Sequence, residues 1–341
     1  MIANLYAPFT TESIKLTGTG KINYIDEGTG TTTLLMIHGL ANYALGWKRN
    51  ISELRKYYRC IAIDLPGNGL SEPGDFPYSI QYFSNVVFEF IEKLRLENVV
   101  LVGHSMGGQI AITTMLEHPQ AAKKLVLCAP AGFEIFTPWE ASLYETSLSI
   151  FDYFSSDETS LTNTIYQSFY HHPQQANEMV QDLVKLQRTY PLTDYRRMVK
   201  ASIHGMLHEP VFNSLHLLQV PALVIFGEKD ALIPAKALHP TTTRKIAEEG
   251  TAQIPNGSLH LIPDCGHFVQ WEKAGEVNEL IQKFVKLKRG AALLFFILQF
   301  FFIAGKPPVG LDKYGSKIFV WRHIVRKCAL VRRHLCIEVV V

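Results

Sequence analysis

The 341-residue sequence contains few cysteines and none in a paired motif. They stand at positions 60, 128, 265, 328 and 336. Because no C-x-x-C spacing occurs among them, we expect neither a disulfide framework nor a cysteine-rich metal site. Cys60 and Cys128 lie inside apolar runs that are typical of core strands, which favours reduced, buried thiols.

A secretory signal and a strong excess of charge are also lacking. Residues 1–16 contain neither a basic segment nor a continuous apolar segment, so the expected location is the cytoplasm. The formal net charge is +2, but residues 306–341 hold eight Lys/Arg against two Asp/Glu, which leaves −4 for residues 1–305. A mildly acidic body gives no reason to expect nucleic acid as a partner. No cofactor is expected, and the oligomeric state is not predicted.

The apolar run near the end of the chain is too short to predict a membrane span. Residues 291–304 contain five phenylalanines and a single polar residue, Gln299, over 14 positions, whereas a spanning helix needs ~20. For residues 290–341 three interpretations stay open: a weak membrane anchor, an arm that forms oligomers, or an extension without a selected function. The last is favoured, because the pattern described below is complete by Arg289, so membrane association through residues 291–304 stays open but is not favoured.

Strands and helices alternate through much of the remaining chain. A hairpin is predicted around Gly18-Thr19-Gly20, and helical periodicity is seen around residues 47–58, 79–96 and 106–118. The runs predicted as buried strands are 33–37, 59–63, 99–102, 124–128, 222–226 and 258–262. This alternation predicts an α/β fold with a mostly parallel sheet covered on both faces.

The most informative stretch is Gly103-His104-Ser105-Met106-Gly107, which lies between a predicted buried strand and a predicted helix. A serine on so tight a turn needs neighbours without side chains, and glycines stand on both sides of it. This is the G-x-S-x-G pattern of a nucleophile elbow. In this setting the chain resembles the α/β-hydrolase family, with Ser105 as the expected nucleophile.

The resemblance implies an eight-stranded, mostly parallel sheet with a helical cap inserted between the sixth and seventh strands. The strand and helix rhythm stops in residues 133–219, which contain aromatic segments at 151–154 and 166–170 and helix-like runs at 174–187 and 194–207. We therefore predict a hydrolase core formed by residues 1–132 and 220–289 and a cap formed by residues 133–219. Residues 290–341 form an extension of unknown role.

Serine is a weak nucleophile unless a base and an orienting acid lie beside it. His267 and Asp230 each follow a predicted strand, and the order Ser, Asp, His along the chain is the one found in this family. Because parallel strands end on the same edge of a sheet, these loops are expected to converge. Glu228 and Asp264 are nearby alternatives for the acid, and the resemblance favours Asp230.

Two backbone N–H groups complete the expected site. In the α/β-hydrolase family the residue after such a His-Gly pair donates its backbone N–H to the oxyanion, so the resemblance assigns this role to Leu40, which follows His38-Gly39. Met106, which follows the nucleophile, is the second expected donor. His38 and His104 are interpreted as residues for packing and local hydrogen bonds, and Asp64 to Ser71 as a structural turn. Trp47 and Trp139 are expected in the core or in the pocket lining.

No metal site is expected. His204 and His208 are four residues apart on a predicted cap helix, which suits a metal, but the sequence shows neither a third ligand nearby nor an H-E-x-x-H pattern.

The predicted activity is hydrolysis of small-molecule carboxylic esters. A serine at the elbow argues against dehalogenases and most epoxide hydrolases of this fold, which use aspartate there. Carbon–carbon bond hydrolases and perhydrolases stay as alternatives, although the segment after His38-Gly39 lacks the glycine-proline-glycine loop expected of the former. A ligand-binding receptor that retains the triad is the alternative from another class.

Overall fold

The computed structural model describes residues 5–150, 158–171, 174, 176–188 and 191–286. Eight strands form one sheet in the order β1-β2-β4-β3-β5-β6-β7-β8. They are β1 Thr11–Leu16, β2 Gly20–Glu27, β3 Thr33–Ile37, β4 Arg59–Ile63, β5 Val99–His104, β6 Lys124–Cys128, β7 Ala222–Gly227 and β8 Gly257–Ile262. The pairs β1–β2 and β2–β4 are antiparallel and the other five are parallel. The predicted fold class is confirmed.

Both faces of the sheet are covered. Side chains that alternate along β3 belong to two different apolar clusters: Leu35 and Ile37 pack into one, and Leu34 and Met36 into the other. Every residue of β3, β5 and β7 is buried. Strands buried on both faces read as continuous apolar runs, which is why these segments were recognisable in the sequence.

The helices were predicted less completely than the strands. They are α1 Lys48–Leu54, α2 Ile80–Lys93, α3 Met106–Glu117, α4 Pro138–Ile150, α5 Glu158–Gln167, α6 Ala176–Gln187, α7 Leu192–His208, α8 Thr243–Ala252, α9 Val269–Glu272 and α10 Ala274–Lys286. Two further short helices of 3-10 type are Ala44–Trp47 and Phe212–Leu217. The Ser79 side chain accepts from the backbone N–H of Tyr82 and so caps α2. Helix α8, which no periodicity predicted, is capped in the same way by Thr242.

The turn after β4 is built around the buried carboxylate of Asp64. Its oxygens accept from the backbone N–H groups of Ala44 (2.7 Å) and Leu70 (3.0 Å), from the Tyr6 hydroxyl (2.5 Å) and from the Asn23 amide (2.7 Å). Burial raises the pKa of Asp64, and these donors oppose that shift. The predicted structural role of the Asp64 turn agrees with this network.

Helices α4 to α7 lie between β6 and β7, which is where the helical insertion was predicted. Residues 151–154, part of the aromatic segments that favoured a cap, lie outside the described residues, and so does the whole of 290–341. The segment Met1–Val285 contains the complete sheet. None of the helices that the structure describes is long and apolar enough to cross a bilayer.

Candidate active site

Ser105 occupies the turn between β5 and α3 in a strained backbone conformation. Its φ of 53° and ψ of −118° lie where a residue with a side chain is rarely found. Its backbone N–H donates to the carbonyl of Cys128 on β6 at 3.0 Å, and its own carbonyl accepts from Gly108 and Ala131. These bonds fix the turn, so the hydroxyl is presented at the carboxyl edge of the sheet.

The glycines on either side of Ser105 are required by close backbone contact. A Cβ at Gly107 would lie 2.5 Å from the carbonyl oxygen of His38 and nearer still to that of Ile37. A Cβ at Gly103 would lie 2.6 Å from the nitrogen of Gly108. The reason that the sequence suggested for these glycines therefore holds in the structure.

Asp230 and His267 form a buried pair at the same edge of the sheet. The Asp230 Oδ2 and His267 Nδ1 atoms are 2.8 Å apart, and the two residues are 1% and 3% exposed. The other oxygen of Asp230 accepts from the backbone N–H groups of Leu232 (2.8 Å) and Ile233 (3.0 Å). Since a carboxylate only accepts, the His267 proton is assigned to Nδ1, which leaves Nε2 able to take a proton.

The two alternative acids lie elsewhere. Glu228 pairs with the Arg244 guanidinium near the surface. Asp264 is exposed on a turn, with a φ of 47°. Of the three acidic residues considered, only Asp230 contacts His267.

The loop that carries His267 is held by contacts that the sequence did not indicate. The His267 backbone N–H donates to the carbonyl of Ser168 at 2.8 Å, and its carbonyl accepts from His104 Nε2 at 3.1 Å. Ser168 lies just after α5, so the insertion and the His267 loop are bonded directly. No local pattern signals such a bond, because its partners are about a hundred residues apart.

A carboxylate strengthens the same junction. Glu272 accepts from the backbone N–H groups of Gly266 (2.9 Å), Tyr170 (3.1 Å) and His171 (2.7 Å). It therefore joins the loop that carries His267 to the chain segment that follows α5.

The loop after β3 lies against the nucleophile. A Cβ at Gly39 would be 3.2 Å from the Cβ of Ser105. The Gly39 carbonyl accepts from the backbone N–H of Asn42 at 3.3 Å and lies 2.7 Å from His38 Nδ1. The N–H of Leu40 belongs to the same trans peptide and points away from that carbonyl. Met106 is the first residue of α3, where backbone N–H groups have no partner within the helix.

Two buried histidines beside the site are held neutral. His38 Nε2 accepts from the backbone N–H of Leu65, so its proton is assigned to Nδ1, which donates to Gly39. Burial lowers the pKa of His38 to about 4. The pKa of His104 is lowered well below its usual value, first by burial and then by neighbouring His267. Their observed role in local hydrogen bonds agrees with the prediction.

A cavity of about 190 Å³ opens at Ser105 and His267. Its wall combines loops of the sheet edge with residues of the insertion. Apolar and aromatic side chains dominate that wall: Leu40, Ala41, Ala131, Phe136, Tyr144, Ile165, Leu183, Ile203, Met206, Leu207, Leu232, Ile233 and Phe268. Among the described lining residues there is no Lys or Arg.

Glu134 is the acid among the described residues of this wall, and it was not predicted from the sequence. Its carboxylate accepts from the backbone N–H of Ala235 at 2.8 Å and lies 2.6 Å from His239 Nδ1. Burial raises the pKa of Glu134, and the neighbouring Asp230 raises it further, against the lowering effect of the two hydrogen bonds. Its position just beyond β6, at the edge where the other site loops meet, is a signal that would have found it.

The two tryptophans that were expected in the core or in the pocket lining differ in their exposure to solvent. Trp47 is fully buried, as expected. The expectation for Trp139 was wrong, because this residue is 74% exposed on α4.

Comparison with known proteins identifies the family to which this fold belongs. A model of the alpha/beta hydrolase fold family matches residues 32–274. An uncharacterized hydrolase of Bacillus subtilis (strain 168) is 29% identical over 273 residues, which cover 76% of this chain and 92% of that protein. A 2-hydroxy-6-oxononadienedioate/2-hydroxy-6-oxononatrienedioate hydrolase of Cupriavidus pinatubonensis is 28% identical over 286 residues, covering 78% and 90%. A thermophilic esterase from Thermogutta terrifontis shares the fold with a TM-score of 0.66 at 24% identity, covering 81% of this chain and 98% of that one.

Proposed function

Since the chain belongs to the α/β-hydrolase fold family, we propose that it is a serine hydrolase that cleaves carboxylic esters through an acyl-enzyme. The observation that carries the proposal is the meeting of three groups at one cavity. Ser105 stands on its wall in a strained turn, and His267 lines the same wall with its Nδ1 bonded to buried Asp230. This is a nucleophile, a base and an orienting acid in the arrangement that activates a hydroxyl.

In the first step, Ser105 Oγ attacks the carbonyl carbon of the ester while His267 Nε2 takes the hydroxyl proton. Asp230 stabilises the imidazolium that forms, because its carboxylate is already bonded to Nδ1 at 2.8 Å. The two backbone donors to Asp230 Oδ1 keep the carboxylate in this orientation. When the tetrahedral intermediate collapses, His267 gives the proton to the departing alcohol, and the acyl group stays on Ser105.

The negative charge of the tetrahedral intermediate is held by the backbone N–H groups of Leu40 and Met106. His38 and Asn42 both donate to the Gly39 carbonyl and hold that peptide in place. Because the peptide is trans, the Leu40 N–H points the opposite way, and it need not reorient during the reaction. Met106 adds the amino end of α3, where the helix dipole favours negative charge. Donors fixed in advance stabilise the transition state more than the ground state.

In the second step, a water enters the place of the alcohol. His267 Nε2 removes a proton from the water while the water oxygen attacks the acyl carbon. The N–H groups of Leu40 and Met106 again hold the negative charge of the tetrahedral intermediate. The ester bond to Ser105 breaks, the proton returns to Ser105 Oγ, and the carboxylic acid leaves. The enzyme is restored, and one water is consumed for each ester cleaved.

The cavity wall favours an uncharged acyl group. It is mostly apolar, no Lys or Arg occurs among its described residues, and Glu134 adds a negative charge when it is ionised. The similar Cupriavidus hydrolase is named for dioate substrates, which carry two carboxylates. Placing such a substrate beside Glu134, in a wall whose described residues include no Lys or Arg, is unfavourable. This supports an ester over a dioate. We propose that helices α4 to α7 act as a cap that selects the acyl group.

The test is a series of p-nitrophenyl esters of increasing acyl length. Wild-type protein is expected to hydrolyse short and medium esters, and Ser105→Ala to fall to the background rate. Ser52→Ala serves as the matched control, because Ser52 is an exposed serine on α1 that bonds to Lys48 of the same helix. Its activity should equal that of the wild type. Hydrolysis that survives in Ser105→Ala would refute the proposed nucleophile.

Three further assays, each compared with the ester series, distinguish the alternatives. A carbon–carbon bond hydrolase would cleave 2-hydroxy-6-oxononadienedioate faster than any neutral ester. A receptor that retains the triad would bind a covalent inhibitor at Ser105 without turning over esters. A perhydrolase would form peracid from acetate and hydrogen peroxide at a higher rate than it hydrolyses esters.

A further inference from the structure

Three potential metal ligands meet on the outer side of the insertion, apart from the candidate catalytic groups. His204 and His208 stand one turn apart on α7, and their rings are 4.2 Å apart. Glu145 on α4 supplies the carboxylate that the sequence did not place beside them. Its Oε1 atom lies 2.9 Å from His204 Nδ1 and 3.5 Å from His208 Nε2. One ligand atom from each residue falls within 4.8 Å of the others.

We infer that these residues form a binding site for a divalent transition metal ion of the Zn²⁺ type, with water as the fourth ligand. Two imidazoles and a carboxylate are among the sets that proteins use for Zn²⁺. Both histidines stand on one helix, so their separation is fixed by the backbone. Small side-chain rotations would bring the three atoms to bonding distances of about 2.0–2.2 Å from a central ion.

Access from solvent is open. The side chains of His204, His208 and Glu145 are 64%, 31% and 28% exposed. An ion can therefore enter and leave without unfolding the insertion. Among the described residues, no other three such side chains place one ligand atom each within 4.8 Å of one another. The exposed pair His260 and Glu276, for example, has no third partner of this kind.

The three ligands are neighbours in sequence of residues that line the cavity. Each ligand follows a cavity-lining residue in sequence: Glu145 follows Tyr144, His204 follows Ile203, and His208 follows Leu207. A bound ion would tie α4 to α7, the two helices that present these residues to the cavity. We therefore expect the metal to stiffen this wall and to change which acyl groups fit. The effect on turnover rests on the proposed ester hydrolysis, whereas binding of the ion does not.

The experiment measures Zn²⁺ binding to the full-length protein by equilibrium dialysis and by thermal unfolding, both without substrate. Wild-type protein should bind one ion per chain saturably at this site and unfold at a higher temperature when Zn²⁺ is present. The double variant His204→Ala/His208→Ala should bind about 100-fold more weakly or not at all, since even outer-sphere changes cost about 10–100-fold in affinity. Its unfolding temperature should not respond to Zn²⁺.

Two further variants make the result decisive. Glu145→Gln keeps the size of the side chain, removes its charge and should also weaken binding, which checks the site from α4 if the double variant fails to fold. His260→Ala removes an exposed histidine from a pair without a third ligand and should bind like the wild type. Equal Zn²⁺ binding by the wild type and the double variant, or no saturable binding at all, would overturn the proposal. Because no substrate is needed, absence of ester hydrolysis would leave this result unaffected.

Discussion

The orientation of His267 depends on a single carboxylate. Asp230 is buried, accepts from two backbone N–H groups and still contacts His267 Nδ1 at 2.8 Å. Glu228, two residues earlier, pairs instead with Arg244 near the surface. The two acids are close in sequence, but only Asp230 is buried and in contact with His267. They therefore form a matched pair for substitution.

Asp230→Asn is expected to lower kcat by about 10³–10⁴-fold, because the neutral amide no longer stabilises the imidazolium and can favour the wrong tautomer of His267. Glu228→Gln is expected to retain wild-type kcat. Steady-state hydrolysis of p-nitrophenyl butyrate measures both. A large loss in Glu228→Gln with little loss in Asp230→Asn would show that the acid has been misassigned.

Burial of His38 makes stability depend on pH. An unfolded histidine titrates at about pH 6.5, whereas burial lowers the pKa of His38 to about 4. Between these values the unfolded chain binds a proton that the folded chain excludes, so the free energy of unfolding falls as the pH falls. For His38 this loss amounts to about 2 kcal/mol between about pH 7 and pH 5.

The variant His38→Gln should lose this part of the pH dependence, since its amide does not titrate but its oxygen can still accept from Leu65. Urea unfolding at both pH values measures the difference. His216→Gln removes an exposed histidine and should keep the wild-type slope. An unchanged slope in His38→Gln would contradict the argument, because it would mean that His38 takes up its proton as readily in the folded protein as in the unfolded chain.

The candidate triad residues were proposed from the sequence because each stands immediately after a strand or on a turn of recognisable pattern. The role of Ser168 was not proposed, and it could not have been. Ser168 acts through its backbone carbonyl, and its partner His267 lies far along the chain. A single sequence carries no signal for such a bond, because any residue type can supply the carbonyl.

The turn from β5 into α3 depends on the absence of side chains at its glycines. Gly107→Ala is expected to destabilise the protein by about 3 kcal/mol, because the new Cβ would overlap the carbonyl oxygens of Ile37 and His38. Gly275→Ala is the control: Gly275 lies in α10, where a Cβ would meet nothing within 4 Å. That change should stabilise by about 0.5–1 kcal/mol. Chemical denaturation measures both, and equal stability of the two variants would contradict the argument.

The strands were predictable and some helices were not, for a physical reason. Buried parallel strands such as β5 have no polar side and appear as unbroken apolar runs. Helix α8 contains only two buried apolar side chains, Ile246 and Ala247, so its apolar face is too short to stand out in the sequence. In α4, Trp139 and Leu143 are exposed, which breaks the expected pattern. Short or partly covered helices carry too few apolar positions to be recognised.

All the strands and helices that the structure describes lie before the basic extension. The sheet ends with β8, the last described helix ends at Lys286, and the family match ends at residue 274. A chain truncated after Arg289 is therefore expected to keep kcat within about twofold of the full-length protein, since every candidate catalytic group is retained.

Fractionation of cells that express the two lengths tests the role of residues 290–341. We expect both to appear in the same fraction. A shift of the truncated chain from the membrane fraction to the soluble fraction would support the anchor interpretation instead.

Family, fold class and candidate catalytic residues all followed from the sequence, whereas the shape of the cavity did not. Its wall is assembled from the insertion and from the loops after β3, β5, β6, β7 and β8, and the exposure of each side chain depends on how these pieces pack. Glu134 and the group formed by Glu145, His204 and His208 arise in the same way, from residues brought together only by folding.

The central claim is that Ser105 is an activated nucleophile, and covalent labelling tests it most directly. Full-length protein is treated with a fluorophosphonate, its intact mass is measured, and the modified peptide is sequenced by tandem mass spectrometry. We predict one adduct per chain, on Ser105, which is absent in Ser105→Ala and forms far more slowly in Asp230→Asn. No adduct on the folded wild-type protein, or an adduct that persists in Ser105→Ala, would contradict the claim.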